Sequence, residues 1–465
     1  MIMKKEYRVK IALFSIILLI LNLVLIPKKT NAVTEQKILY VGVNKESQNK
    51  AAVFTMNKDG SDKKDLTGID GPSAASFPLW SPDGSKIAYL DFSDLGTRLM
   101  VMDREGSNKV VASGEGVLSS DEPIISHFTW NKDSSKIFFS SVNANYLNQS
   151  SPTLSEGAVK VFSTGTDGSN PTQIAYYEPS STSEYLRARV EYDNKHNKLV
   201  VTLVSSSRAY GGGGRYSSWE SISINPDGSG IPQQLVSGTD GDIISFSASP
   251  SGSKILYSQE KYIGDGVSSP TVNDFQYPLA ILDTDTLNVS TIPGNYALWI
   301  YGSLPWAQSE DKIFTSTAQF GGPYTDQKVL SLDGTALNNI SLPGTRNYPT
   351  GQFVDNDKRL LLSVITDSNA SNPNDAYIAL YDINSGQVAD LSSGGDIGEY
   401  YASISSLELG SSSPEPVFTD PPKPPKTGIL SWVGLALIVS LSLLTLSGHT
   451  IARRISRRIH NTSER

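Results

Sequence analysis

Two segments gather residue types that recognise ligands. In the first, Tyr210, Arg215, Tyr216 and Trp219 surround four consecutive glycines, Gly211 to Gly214. Aromatic rings and a guanidinium stack on sugar rings and peptide groups, and glycines let the backbone fold closely round a ligand. The same segment also reads as a flexible connector with Trp219 packed at the start of a strand, since aromatic strand positions are commonly core. It is not a phosphate loop, because the Lys-Ser/Thr pair of that motif is missing. The second segment, Tyr262–Tyr277, carries Asp265, Asn273, Asp274, Phe275 and Tyr277. Carboxylates beside aromatics suit a carbohydrate or a cation, and equally suit a solvated surface loop.

Signals for catalysis and metals are negative. The chain has no cysteine and 4 histidines in 465 residues, which excludes disulfides, thiolate metal sites and cysteine nucleophiles. Neither Gly-x-Ser-x-Gly nor His-Glu-x-x-His occurs. The recurring Asp-Gly-Ser triplets lack the spacing of a calcium loop and read as hairpin turns. Carboxylates are numerous, but no pair stands out as the acid and base of a glycosidase. No catalytic residue, metal ligand or cofactor is therefore expected.

Charge divides the chain into a body and two ends. Residues 1–32 hold six Lys/Arg and one acid, and residues 429–465 hold five Arg and one acid. Between them stand 28 basic and 45 acidic residues, a net charge of −17. An acidic body argues against nucleic acid as a partner. Basic ends on such a body suit an exported protein. The uncharged run Ile11 to Ile26, followed by Thr30-Asn31-Ala32, predicts a signal peptide over 1–32, either cut after Ala32 or retained as an anchor. Residues 429–448 are free of charge, and at about 1.5 Å per residue they are long enough to cross a bilayer. Arg453, Arg454, Arg457 and Arg458 in the tail, residues 449–465, would stay on the cytoplasmic side. Trp432 would lie at the outer interface.

Before this span, residues 411–428 carry six prolines and predict an extended, semi-rigid linker. It ends in Pro424-Pro425-Lys426-Thr427-Gly428. Pro425, Thr427 and Gly428, then an apolar span and a basic tail, resemble the cell-wall sorting signal of Gram-positive-type surface proteins. The resemblance implies a sortase that cuts between Thr427 and Gly428 and joins Thr427 to the wall. Pro424 stands where that family has Leu, and its fixed φ and missing N–H change the backbone offered there. Read without the sortase, the segment is a plain transmembrane anchor.

The body, residues 33–410, is a repeat. A strand opening on a basic residue recurs at Lys37, Lys86, Lys136, Lys198, Lys254, Lys312 and Arg359, close to the period of a propeller blade. Turns such as Ser81-Pro82-Asp83-Gly84 precede it, and turns such as Lys58-Asp59-Gly60-Ser61 follow. At Trp80–Tyr89 the pattern resembles the TolB-like β-propeller repeat family. The resemblance implies an all-β fold of four-stranded blades around a central axis, and the seven copies predict seven blades, with six as the fallback. It also implies that each blade's inner strand precedes the Ser-Pro-Asp-Gly turn. The first blade then lacks an inner strand, which the segment Tyr401–Leu409 would supply to close the ring.

This order puts short turns on one face and long loops, Asn143–Glu156, Ser205–Ser218, Tyr262–Tyr277 and Gln319–Gln327, on the other. The repeats exhaust the body, so the hydrolase domain that prolyl-peptidase-like proteins join to such propellers is not expected. The expected function is binding of an extracellular protein, peptide or glycan at the cell surface, with the wall and membrane as partners at the anchor. The alternative is an extracellular propeller hydrolase or lyase acting on polysaccharide.

Overall fold

The computed structural model describes residues 36–405 apart from 45–49, 72–73, 94–95, 115–122, 144–152, 170, 208–216, 240, 264–274, 298–304, 318–324, 341–350, 366–375 and 393–396. Seven antiparallel sheets follow one another round a ring. The fourth blade shows the plan: an inner strand Glu184–Asp193, then Lys198–Ser207, Ser217–Ile224 and an outer strand Gln233–Thr239, each paired with the next. The other inner strands are Ala74–Trp80, Pro123–Trp130, Gly241–Ala248, Tyr296–Ala297, Gly351–Val354 and, for the first blade, Ile397–Ile404.

The second strand of every blade begins at the basic residue read from the sequence, from Lys37 through Arg359. These strands are apolar on both faces because both faces meet a neighbouring blade. Ile38 and Tyr40 pack with Leu361, Ile378 and Leu380 of the seventh blade. Leu39, between them, packs with Ile87, Tyr89 and Met102 of the second. A side-chain period of two, applied to a strand buried on both sides, gives a continuous apolar run. The leading lysine stays at the rim, as at Lys86, whose Nζ lies 3.1 Å from Asp103 at the end of the third strand.

The turns explain the Asp-Gly-Ser triplets. In the four Asp-Gly-Ser triplets, and in the related Asp133-Ser134-Ser135 and Asp333-Gly334-Thr335, the aspartate oxygen accepts the backbone N–H two residues on: Asp59 from Ser61, Asp83 from Ser85, Asp167 from Ser169, Asp227 from Ser229, Asp133 from Ser135 and Asp333 from Thr335. This is the Asx-turn geometry that favours Asp at such positions. Gly60 shows why a glycine follows. Its φ is +85°, and a Cβ there would lie 2.3 Å from the Leu391 carbonyl oxygen of the seventh blade.

Closure follows the expected route with a shifted boundary. The closing strand runs from Ile397 to Ile404, earlier than Tyr401–Leu409, and 406–410 lie outside the described residues. Its partner Lys37–Asn44 is eight residues long, so the strand must reach back to Ile397 to pair with Asn44. Pairing ends where the Ser405 N–H donates to the Lys37 carbonyl at 3.0 Å and the Lys37 N–H to Ser405 Oγ at 3.2 Å. The Tyr262–Tyr277 segment is also shorter as a loop than expected, because Phe275 and Gln276 extend the sheet by pairing with Tyr262 and Lys261. Among the described residues no helix is long and apolar enough to cross a membrane. The expected signal peptide (1–32), linker (411–428), span (429–448) and tail (449–465) lie outside them.

Candidate functional site

Inner strands form the wall of the central channel, and those of the third and fourth blades carry a charged group. On Glu184–Asp193, Leu186, Ala188, Val190 and Tyr192 are buried against the third blade, while Arg187, Arg189 and Glu191 take the alternate, half-buried positions. The facing strand, Pro123–Trp130, contains a β-bulge: Ile125 pairs with Ser141 and His127 with Ser140, leaving Ser126 as the extra residue. A bulge bends its strand and re-aims the side chains beside it. Here Ser126 donates to the Ala188 carbonyl at 3.0 Å, and His127 Nδ1 accepts the Val190 N–H at 3.4 Å. Both bonds go to the open edge of the fourth blade's inner strand.

That acceptor role fixes the histidine. With Nδ1 taking a proton from the backbone, a neutral ring carries its own hydrogen on Nε2. Nε2 lies 3.8 Å from Glu191 Oε1, too far for a direct hydrogen bond and close enough for one to form after a small side-chain movement. Both side chains are about one-sixth exposed (16% and 17%). Burial holds His127 down at about 3, reinforced by the Arg189 charge. Burial also pushes Glu191 up to about 8, against the opposing pull of Arg189. Near neutral pH the site therefore presents a neutral imidazole, a largely protonated carboxylic acid and the guanidinium of Arg189. Such a set can donate hydrogen bonds to a polar or acidic group and can exchange one proton. Among the described residues no group of three or more His, Asp or Glu is placed to hold a metal ion.

A second histidine joins two blades on the short-turn face. His196 Nδ1 is 2.6 Å from Asp193 Oδ2, and its Nε2 is 2.9 Å from Asp285 Oδ1 in the fifth blade. Lys195 also pairs with Asp285. Asp285 is available because the fifth blade departs from the Asp-Gly-Ser pattern: Asp283, not Asp285, takes the turn N–H groups of Asp285 and Thr286. The bond to Asp193 raises the His196 pKa, with Asp285 adding to the shift. A raised native pKa gives stability that is complete below the unfolded value and lost as pH rises through the native one. His196→Ala should cost on the order of 1 kcal/mol at pH 6 and little at pH 9, a modest figure because the group is partly solvated. Urea unfolding at both pH values measures the difference.

Of the residues singled out from the sequence, Tyr210, Arg215, Tyr216, Asp265, Asp274, Pro425, Thr427 and Gly428 lie outside the described residues. Trp219 is 5% exposed and packs against Tyr257, with ring centroids 5.4 Å apart. Gly238 lies flat on its indole, where a Cβ would come within 2.6 Å. Tyr277 is 6% exposed. Both rings are buried in the core. His127, Arg189 and Glu191 had no motif to mark them. The available signal was alternation: Tyr185, Arg187, Arg189 and Glu191 interleave with Leu186, Ala188, Val190 and Tyr192 on a strand that the repeat places innermost.

These features define a closed, seven-bladed β-propeller with a polar group in its channel wall. No protein-family model matches the chain, and no curated protein matches it. Solved structures share the fold. A puromycin hydrolase is 12% identical over 78% of this chain and 52% of its own, with a TM-score of 0.52. A puromycin-hydrolyzing peptidase of Mycobacterium tuberculosis is 8% identical over 77% and 52%, with a TM-score of 0.53. TolB of Acinetobacter baumannii is 13% identical over 79% and 66%, with a TM-score of 0.41. The chain thus spans about half the length of the two hydrolases.

Proposed function

We propose that this chain is a cell-surface binding propeller, exported by residues 1–32 and held by the span 429–448 or through Thr427. In this reading the ring is a rigid mount that presents a protein, peptide or glycan site outward. The observation that carries it is the group His127, Arg189 and Glu191. Burying charged and titratable side chains costs stability, and such groups concentrate where a site uses them. Glycan and peptide arrays probed with residues 33–410 test the reading. Binding that weakens at least tenfold in Arg189→Gln, about 1.4 kcal/mol, supports a channel site. Binding indifferent to Arg189→Gln and Glu191→Gln counts against it.

A second reading is favoured by the same pair. A protonated carboxyl beside a neutral imidazole is a competent acid–base couple, so an extracellular hydrolase or lyase acting on polysaccharide is the alternative. Turnover of an array ligand, abolished in Glu191→Gln with binding retained, would favour it.

A further inference from the structure

The point where the chain leaves the ring fixes which face is offered to a partner. In the first blade, the end of Lys37–Asn44 that holds Lys37 adjoins the short turn Lys58–Ser61, and the end that holds Asn44 leads into the connection to Ala51. Lys37 therefore sits on the short-turn face. Ser405 is bonded to Lys37 through both backbone N–H groups, so the two described ends of the body emerge side by side there. The adjoining Lys37–Asp62 ion pair, 2.6 Å long, belongs to the same face.

We infer that the propeller stands with its short-turn face toward its anchor and its long-loop face outward. This rests on the surface-anchored reading above. Everything C-terminal to Ser405, including the proline-rich stretch before the span, starts from the short-turn side. In the polyproline form residues 406–428 span about 70 Å at roughly 3.1 Å per residue, and the six prolines stiffen the part that follows Ser413. The partner this arrangement fits is a macromolecule arriving from the medium, meeting first the face that holds the exposed Ser155 and Ser183. A partner within the anchoring membrane or wall would meet the opposite face.

The absence of cysteine makes the test direct. Single cysteines are introduced into the full-length chain at Ser155→Cys and Ser183→Cys, on exposed connections of the long-loop face, and at Lys132→Cys and Asn384→Cys, on exposed short turns. Intact cells are treated with a membrane-impermeant maleimide carried on a bulky polymer. The expected result is labelling several-fold faster at Ser155→Cys and Ser183→Cys than at the short-turn positions, with the rates converging once the chain is extracted in detergent. Equal rates on cells, or faster labelling at Lys132→Cys and Asn384→Cys, overturn the orientation while leaving the surface location standing. Labelling only after the cells are opened overturns the surface reading and the orientation with it.

Discussion

A chain ended at residue 396 should fail to form a soluble monomer, while one ended at 410 should melt like the intact body. The shorter chain loses the inner strand of the first blade, and the whole edge of Lys37–Asn44 loses its partner. It also loses Ala402, 3% exposed, whose N–H donates to Ser363 Oγ in the seventh blade at 3.1 Å. Closing a ring removes its edges; leaving it open exposes an unpaired strand beside apolar side chains, the arrangement that recruits other chains. The loss exceeds that of a single core truncation, about 2–5 kcal/mol, because pairing and two blade contacts go together. Size-exclusion chromatography and thermal melting of the two truncated chains decide it: a monomeric, cooperatively melting chain ended at residue 396 would contradict closure as a requirement.

Glu191→Gln should stabilise the protein at alkaline pH and have little effect at pH 5. The native carboxyl is raised from 4.5 to about 8 by burial. Its favourable contribution is therefore complete below the unfolded value and is lost as pH rises through about 8. At about 1.4 kcal/mol per pKa unit, the wild-type chain should lose several kcal/mol between pH 5 and pH 9 from this group, and the amide should keep it. His127 acts with the opposite sign. Its native pKa is depressed to about 3, so its contribution is present above the unfolded value near 6.5 and is lost as pH falls below that. Denaturant unfolding of wild type, Glu191→Gln and His127→Gln across pH 5 to 9 separates the two. A parallel pH dependence for wild type and Glu191→Gln would mean that Glu191 is solvated and ionised in the native ring.

How much was legible depended on how local the cause was. The strand starts at Lys37 through Arg359 and the Asp-Gly-Ser turns depend on near neighbours: a period of two, an Asx bond two residues on, a glycine at positive φ. The fifth-blade turn broke its pattern visibly at Thr284-Asp285-Thr286, yet only the fold shows the result, with Asp283 capping the turn and Asp285 freed to reach His196. Trp219 could be read as ligand surface or as core, and the position of Tyr257 and Gly238 on other strands decided for core.

By itself the sequence determined the repeat, the number of blades, the order of strands within each and the supply of the missing strand from the C-terminal end. The repeat and the blade count follow from periodicity and turn chemistry written in adjacent residues, and the strand order and the closing strand from the resemblance those residues carry. The tertiary structure alone decided that a bulge at Ser126 turns His127 toward Val190 and Glu191, and that Lys37 and Ser405 leave the ring together on one face. Burial, which sets the charge on His127 and Glu191, arises from residues more than sixty positions apart meeting across two blades, and no local pattern encodes such a meeting.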